Sequence, residues 1–260
     1  MATTVHILLE DFVAARHAQR ERELLLRLHA AEQARYRAFA HVRRRQFWLA
    51  GRDLLLALLA VQLPHVDAAA LRTDARGAVR YDGDDVHVSL SHSGDLLAAA
   101  LATCTVGVDI EWPRPRACIQ QARRLFTGTE SRYLQTLQPA DRETEFYALW
   151  TLKEALAKAA GISMWDALRD TEFDLPAGRC RVPLSPHTWS CLHARSVHGW
   201  HLAIATQDAA HPLQVECWRR TAADGWLAER LHEQMTLRSA APLRDTLFID
   251  KRANADNRHA

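Results

Sequence analysis

Val106, Val108 and Ile110 alternate with Gly107, Asp109 and Glu111. An alternation of that kind turns successive side chains to opposite faces of a strand, so the apolar residues need a core and the two carboxylates share the other face. Side chains two apart along a strand stand about 6.5–7 Å from each other. From that separation both acids can reach one divalent cation, directly or through its water. Farther along, Trp150, Glu154 and Lys158 recur at every fourth residue, one stripe of a helix, and Gly161 falls where a helix would end. The stripe offers a third carboxylate and an ammonium.

Three acids able to share a hard cation, with a lysine nearby, suit a magnesium ion holding a pyrophosphate. Magnesium takes one or two carboxylates together with phosphate oxygens and waters, and lysine serves phosphate as a point charge. Composition sharpens the point. The chain has three lysines against 30 arginines, and two of the three, Lys153 and Lys158, share one six-residue window, which points to a need for a compact ammonium there. A Glu and a Lys four apart on a helix, or an Asp-x-Glu on a strand, is by itself an ordinary solvated face. The weight lies in their combination.

At 260 residues the chain is long enough for one large or two intimate domains. A net charge of +2 gives nucleic-acid binding no compositional support. Two arginine groups stand out, Arg43-Arg44-Arg45 and the cluster Arg114, Arg116, Arg123 and Arg124, which suits an acidic partner. Five cysteines without C-x-x-C spacing read as reduced thiols of a cytoplasmic protein. No signal peptide is expected from the first residues, and the longest apolar run, 54–61, is too short to span a bilayer. Fourteen histidines come without an H-E-x-x-H or paired Cys/His spacing, so zinc is not expected.

In chain order, 5–9 reads as an opening strand, 11–41 as two helices rich in Ala, Arg, Glu and Leu, and 46–61 as an amphipathic helix ended by Pro64. Residues 74–85 read as a loop. A strand from Val86 runs into the turn Ser91-His92-Ser93-Gly94 and pairs as a hairpin with 96–102; 106–111 is expected as a third antiparallel strand. Helices are expected at 119–126, at 129–137 with Thr129 as N-cap, and at 141–160. Strands of a second sheet follow at 173–175, 188–193 and 200–206, then a final helix at 227–237 and a polar tail at 252–260.

Gly107-Val108-Asp109-Ile110-Glu111 and Trp150-Thr151-Leu152-Lys153-Glu154-Ala155-Leu156-Ala157-Lys158, preceded by Ser89-Leu90-Ser91-His92-Ser93-Gly94, resemble the three ordered motifs of the 4′-phosphopantetheinyl transferases. The likeness is to the longer, single-chain type with two tandem half-folds. It implies an α+β fold of two pseudo-twofold halves, each with a small antiparallel sheet and helices: 1–105, then 106–217 carrying the metal site, then 218–260 as a C-terminal helix and tail. The activity it implies is Mg2+-dependent transfer of the 4′-phosphopantetheine arm of coenzyme A to a serine of an apo carrier protein, releasing 3′,5′-adenosine bisphosphate.

On this resemblance Asp109, Glu111 and Glu154 hold the metal. Arg35, Arg43, Ser91 and His92, with Asp109 and Lys158, hold the coenzyme. His92, at a turn between strands, would donate to phosphate and take charge near neutral pH. Glu154, Glu111 and Lys158 are the catalytic residues, with Glu154 or Glu111 as base. Relatives often carry Gly-Lys-Pro where this chain has Gly77-Ala78-Val79, so a lysine contact to the nucleotide is missing and Arg80 is the candidate substitute. Segment 119–137 would meet the acidic helix of the carrier, through Arg123 and Arg124, with Leu125 and Phe126 either joining that face or serving the core. A tandem chain can complete its site as a monomer. Two other readings use the same residues: a metal-dependent hydrolase of nucleotide pyrophosphates, and a non-catalytic carrier-binding module. Fatty-acid, polyketide, nonribosomal-peptide and pigment pathways all remain open.

Overall fold

The computed structural model describes residues 2–83, 85–114, 117–207, 211–221 and 225–239. The chain opens with strand β1 (Thr3–Asp11) and helices α1 (Ala14–Arg27), α2 (Ala30–Ala38) and α3 (Val42–Gln62). A short ribbon, β2 (Leu71–Thr73) and β3 (Val79–Tyr81), leads to the hairpin β4 (His87–Ser93) and β5 (Leu96–Ala102). The second half begins with β6 (Val106–Glu111), then α4 (Cys118–Leu125), α5 (Gly128–Thr136), α6 (Pro139–Ala160) and α7 (Met164–Asp170). It continues through β7 (Glu172–Asp174) and β8 (Arg179–Arg181) to the hairpin β9 (Ser190–Arg195) and β10 (His201–Thr206). Three strands close the described chain: β11 (Leu213–Arg220), β12 (Trp226–Ala228) and β13 (His232–Ser239).

Two main sheets result, in the orders β12-β11-β1-β5-β4 and β6-β10-β9-β13-β8-β7. Within each, the first strand of its half pairs antiparallel with the second hairpin strand, giving β1-β5-β4 and β6-β10-β9. That repeated order is the internal pseudo-symmetry. Leucines of α3, including the fully buried Leu54, Leu55, Leu58 and Leu59, cover one face of the first sheet. Phe146, Leu149, Leu152 and Leu156 of α6 cover one face of the second. The other faces meet each other: Val5, Ile7, Leu9, Ala98 and Ala100 pack against Val106, Val108, Ile110, Leu202 and Ile204. The α+β architecture is therefore four layers: helix, sheet, sheet, helix.

Several expectations need correction. Strand β6 is not a third strand of the first sheet; it pairs with β10, and both its faces are buried, one by the inter-sheet core and one by α6. Residues 227–237 form no helix but parts of β12 and β13. Their Leu, Ala, Glu, Gln and Met favour a helix locally, but pairing along β9 and β8 overrides the preference. A boundary at 217 cuts through β11, which returns to the first half. There it lies parallel to β1, and its buried Arg220 bonds Asp53 of α3 at 2.8 Å and pairs with Glu10 of β1 at 3.5 Å. Because β11 and β13 lie far along the chain from their partners β1 and β8, no tight turn forces those pairs antiparallel, and each of the two main sheets carries one parallel pair.

Smaller differences follow the same logic. Residues 74–85 include β3, and α3 begins at Val42, so Arg43–Arg45 lie in its first turn. Thr127, not Thr129, caps α5 through a reciprocal bond with Glu130. The tail at 252–260 lies outside the described residues. Among the described residues no helix is long and apolar enough to cross a membrane.

One close contact fixes the second half. A Cβ on Gly107 would lie 2.0 Å from the Ala155 carbonyl oxygen and 2.7 Å from the Ala159 nitrogen, so only glycine lets α6 lie this near β6. Gly107→Ala is expected to destabilise the protein by about 3 kcal/mol or more, at the upper end of overpacking costs. Urea unfolding measures this, and an unchanged midpoint would contradict the packing described.

Candidate active site

Strand β4 ends the first sheet and β6 ends the second. Where these edges meet, Ser89, Ser91 and Ser93 alternate with Val88 and Leu90, which face the α3 core. The three hydroxyl oxygens accept the N–H groups of Val108 (3.1 Å), Ile110 (3.4 Å) and Trp112 (3.0 Å). Side chains thus stand where a neighbouring strand's carbonyls would be. Two of the hydroxyls also donate: Ser91 to Asp109 Oδ1 and Ser93 to Glu111 Oε2, each at 2.7 Å.

Helix α6 brings the remaining groups. Glu154 joins Asp109 and Glu111 so that one oxygen from each lies within 4.8 Å of the others. Lys158, one turn on, donates to Asp109 Oδ1 at 2.8 Å and to the Val108 carbonyl at 3.0 Å. The helix stops at Gly161, which takes the left-handed conformation with φ 63°.

Asp109 is nearly inaccessible, and its Oδ2 is buried without a hydrogen-bond partner among the described residues. Burial, then the charge of Asp109, pushes the Glu154 pKa up to about 8; Lys158 opposes the shift and Glu111 adds to it. An orphaned buried oxygen and a carboxyl group that holds its proton both mark a place short of positive charge. An all-oxygen donor set of three carboxylates fits a hard divalent cation of the Mg2+ or Mn2+ kind.

Two adjoining cavities flank the cluster. The larger, about 740 Å³, is walled by Arg35, Arg43, Phe47, Trp48, Ser91 and His92. The smaller, about 380 Å³, is reached by Arg76, Ala78, Glu154, Lys158 and Met164, while Arg52, Gly77 and Leu90 line both. Basic and aromatic groups beside an acidic cation cradle can accommodate a phosphorylated, ring-bearing ligand.

The expected residues fall out as follows. Asp109, Glu111, Glu154 and Lys158 converge. Arg35, Arg43, Ser91 and His92 line the larger cavity. Arg43 also pairs with Asp95 at 2.5 Å and lies over the Phe47 ring. Burial of the His92 ring and then the Lys158 charge lower its pKa while Asp109 raises it, a net shift against the charge expected there. Arg80 is bonded to Asp74 at 3.3 Å, and Arg76 instead reaches across to the Gly161 carbonyl.

Lys153 is no part of the site. It is fully buried on the far side of α6, paired with Glu130 at 2.9 Å and donating to the Leu168 and Thr171 carbonyls. Of the residues proposed to face a carrier, Phe126 is buried in the core and Leu125 packs against it, while Arg123 and Arg124 stay exposed. Arg116 lies outside the described residues. The sequence motifs give Ser89 and Ser93 no separate role; the signal for one is a run of serines at period two preceding the acidic strand.

Fold and site together define a tandem α+β chain with a carboxylate cluster in the seam between its halves. The pattern of the 4′-phosphopantetheinyl transferase superfamily matches residues 105–211. A 4′-phosphopantetheinyl transferase of Bacillus subtilis is 39% identical over 77 residues, 30% of this chain and 34% of the relative. AcpT of Salmonella typhimurium, also named a 4′-phosphopantetheinyl transferase, is 36% identical over 124 residues, 47% of this chain and 62% of the relative. HetI of Nostoc sp., with the same activity in its name, is 30% identical over 179 residues, 65% of this chain and 74% of the relative. The chain thus aligns with between one third and three quarters of these relatives' length. It belongs to the 4′-phosphopantetheinyl transferase superfamily.

Two tests follow from the electrostatics. Cation binding must expel the proton held on Glu154, so Mn2+ affinity should rise about tenfold per pH unit from pH 6 toward 8 and level off above. Affinity that is flat over that range would contradict the assignment. Lys153→Met leaves the buried Glu130 without its countercharge and should cost about 3–5 kcal/mol in denaturant unfolding; a loss under about 1 kcal/mol would show that the pair is not a structural anchor.

Proposed function

We propose that the protein transfers the 4′-phosphopantetheine arm of coenzyme A to a serine of an apo carrier protein, releasing 3′,5′-adenosine bisphosphate. The observation that carries this reading is the convergence of Asp109, Glu111 and Glu154 within 4.8 Å, beside a basic and aromatic cavity, in a chain of this superfamily. The relatives' names supply the reaction class.

In this mechanism the arginines of the larger cavity, Arg35 and Arg43, bind the bisphosphate end of coenzyme A. His92 donates a hydrogen bond to a phosphate oxygen, and Phe47 and Trp48 wall the nucleotide. Asp109, Glu111 and Glu154 would hold Mg2+, which when bound neutralises charge on the pyrophosphate. Lys158, held at Asp109, lies close enough to the cluster to meet the same oxygens. The carrier serine oxygen attacks the β-phosphorus in line. A new P–O bond forms as the bond to the bridging oxygen breaks, and the electron pair leaves with the bisphosphate. Glu154 takes the serine proton, with Glu111 as the next candidate. Arg123 and Arg124, exposed on α4 between β6 and α6, steer the acidic carrier.

Since one chain supplies both sides of the seam, a monomer working in the cytoplasm suffices. Asp109→Ala should fold, with its melting temperature near that of the wild type, and lose at least about 10²-fold in rate. The assay incubates the protein with coenzyme A, Mg2+ and a panel of apo carriers and reads intact masses. Wild-type rate in Asp109→Ala would overturn the mechanism, and consumption of coenzyme A without any carrier would point to a hydrolase instead.

A further inference from the structure

The seam serines do two jobs, and the structure separates them. Ser89, Ser91 and Ser93 each accept a β6 backbone N–H, and in that role they are equivalent. They differ in where their own protons go. Ser93 donates to Glu111 Oε2 at 2.7 Å, whereas the described bond of Ser89 is to backbone alone. Glu111 sits at the last position of β6, is only partly buried and is the least enclosed of the two β6 acids. A glutamate at a strand end has three side-chain torsions to fix, and an ordered carboxylate needs something to hold it.

We propose that Ser93 is a positioning residue for Glu111: its hydroxyl is fixed by the Trp112 N–H and in turn fixes Oε2, so that the carboxylate is held in the cluster with Asp109 and Glu154. The bond is charge-assisted and short, the kind that orients a ligand carboxylate from behind. Loss of that bond leaves Oε2 less firmly held and weakens the cluster's grip on a cation. The inference rests on the proposed function only through the cation cluster, and it concerns assembly of that cluster before any substrate arrives.

The test titrates the whole protein with Mn2+, without coenzyme A or carrier, and follows loss of the free-ion EPR signal. Ser93→Ala should weaken Mn2+ binding about tenfold, the loss expected for a hydrogen bond to a charged group. Ser93→Thr, which keeps the hydroxyl, should bind within about threefold of wild type. Ser89→Ala removes a backbone acceptor of the same kind and should leave Mn2+ affinity unchanged even if it lowers the melting temperature. Equal affinity in Ser93→Ala and wild type would overturn the proposal, as would a matching loss in Ser89→Ala, which would make the effect one of seam stability. If Ser93→Ala fails to fold, the Thr and Ser89 variants still decide it: Thr binding tenfold weaker, or Ser89→Ala losing affinity, overturns it. Wild-type protein that binds no Mn2+ would overturn the cluster itself, whereas wild-type binding with no transfer to any carrier would overturn the proposed reaction and leave this inference standing.

Discussion

An edge strand cannot be buried with its outward N–H groups bare, since each would forfeit about 1–3 kcal/mol of lost hydration. Strand β6 is such an edge, enclosed on both faces, and the first half answers with hydroxyls in place of a strand. A carbonyl could accept those N–H groups but could not donate. A serine does both, so the contact that joins the halves also passes a hydrogen bond on to Asp109 and to Glu111. Fold and site meet in the same atoms. The Lys158 bond to the Val108 carbonyl closes the same edge from the side of α6.

The geometry sets an electrostatic problem. At an effective dielectric near 20, like charges 4.8 Å apart repel by roughly 3–4 kcal/mol, and one ammonium does not cancel three carboxylates. In the metal-free protein a proton on Glu154 meets part of the deficit, because burial and the charge of Asp109 raise its pKa. A divalent ion meets it better and frees that proton. Around this cradle the first half contributes arginines, aromatic rings and His92, while the second contributes the acids and Lys158. Neither half alone has both sides.

Much of the site was legible because it is written in short periods. The alternation at 106–111 and the four-residue stripe from Trp150 to Lys158 place their carboxylates correctly, and Gly161 marks the helix end as expected. What escaped the sequence depended on distant partners. Lys153 and Lys158 look alike in a six-residue window, but five positions along a helix amount to about 500° of rotation, so the two ammonium groups leave opposite sides of α6. Residues 227–237 favour a helix until the free edges of β11 and β9 are available to them. The helix at 119–126 was expected, yet only coordinates show that Phe126 turns inward against Phe146. The strand at 106–111 was read correctly, but its assignment to the first sheet was wrong because serine hydroxyls, rather than a ladder, connect it to β4.

Site and fold both turn on three carboxylates from β6 and α6 sharing one ion at the seam. A crystal grown with Mn2+ and coenzyme A, with data collected above the manganese absorption edge, tests this directly. The predicted result is an anomalous peak about 2.0–2.3 Å from an oxygen of Asp109 and of Glu154, with Glu111 bound directly or through one water, and pyrophosphate oxygens completing the shell. A peak elsewhere on the chain, or coenzyme A bound with Glu154 turned away from it, would contradict the account.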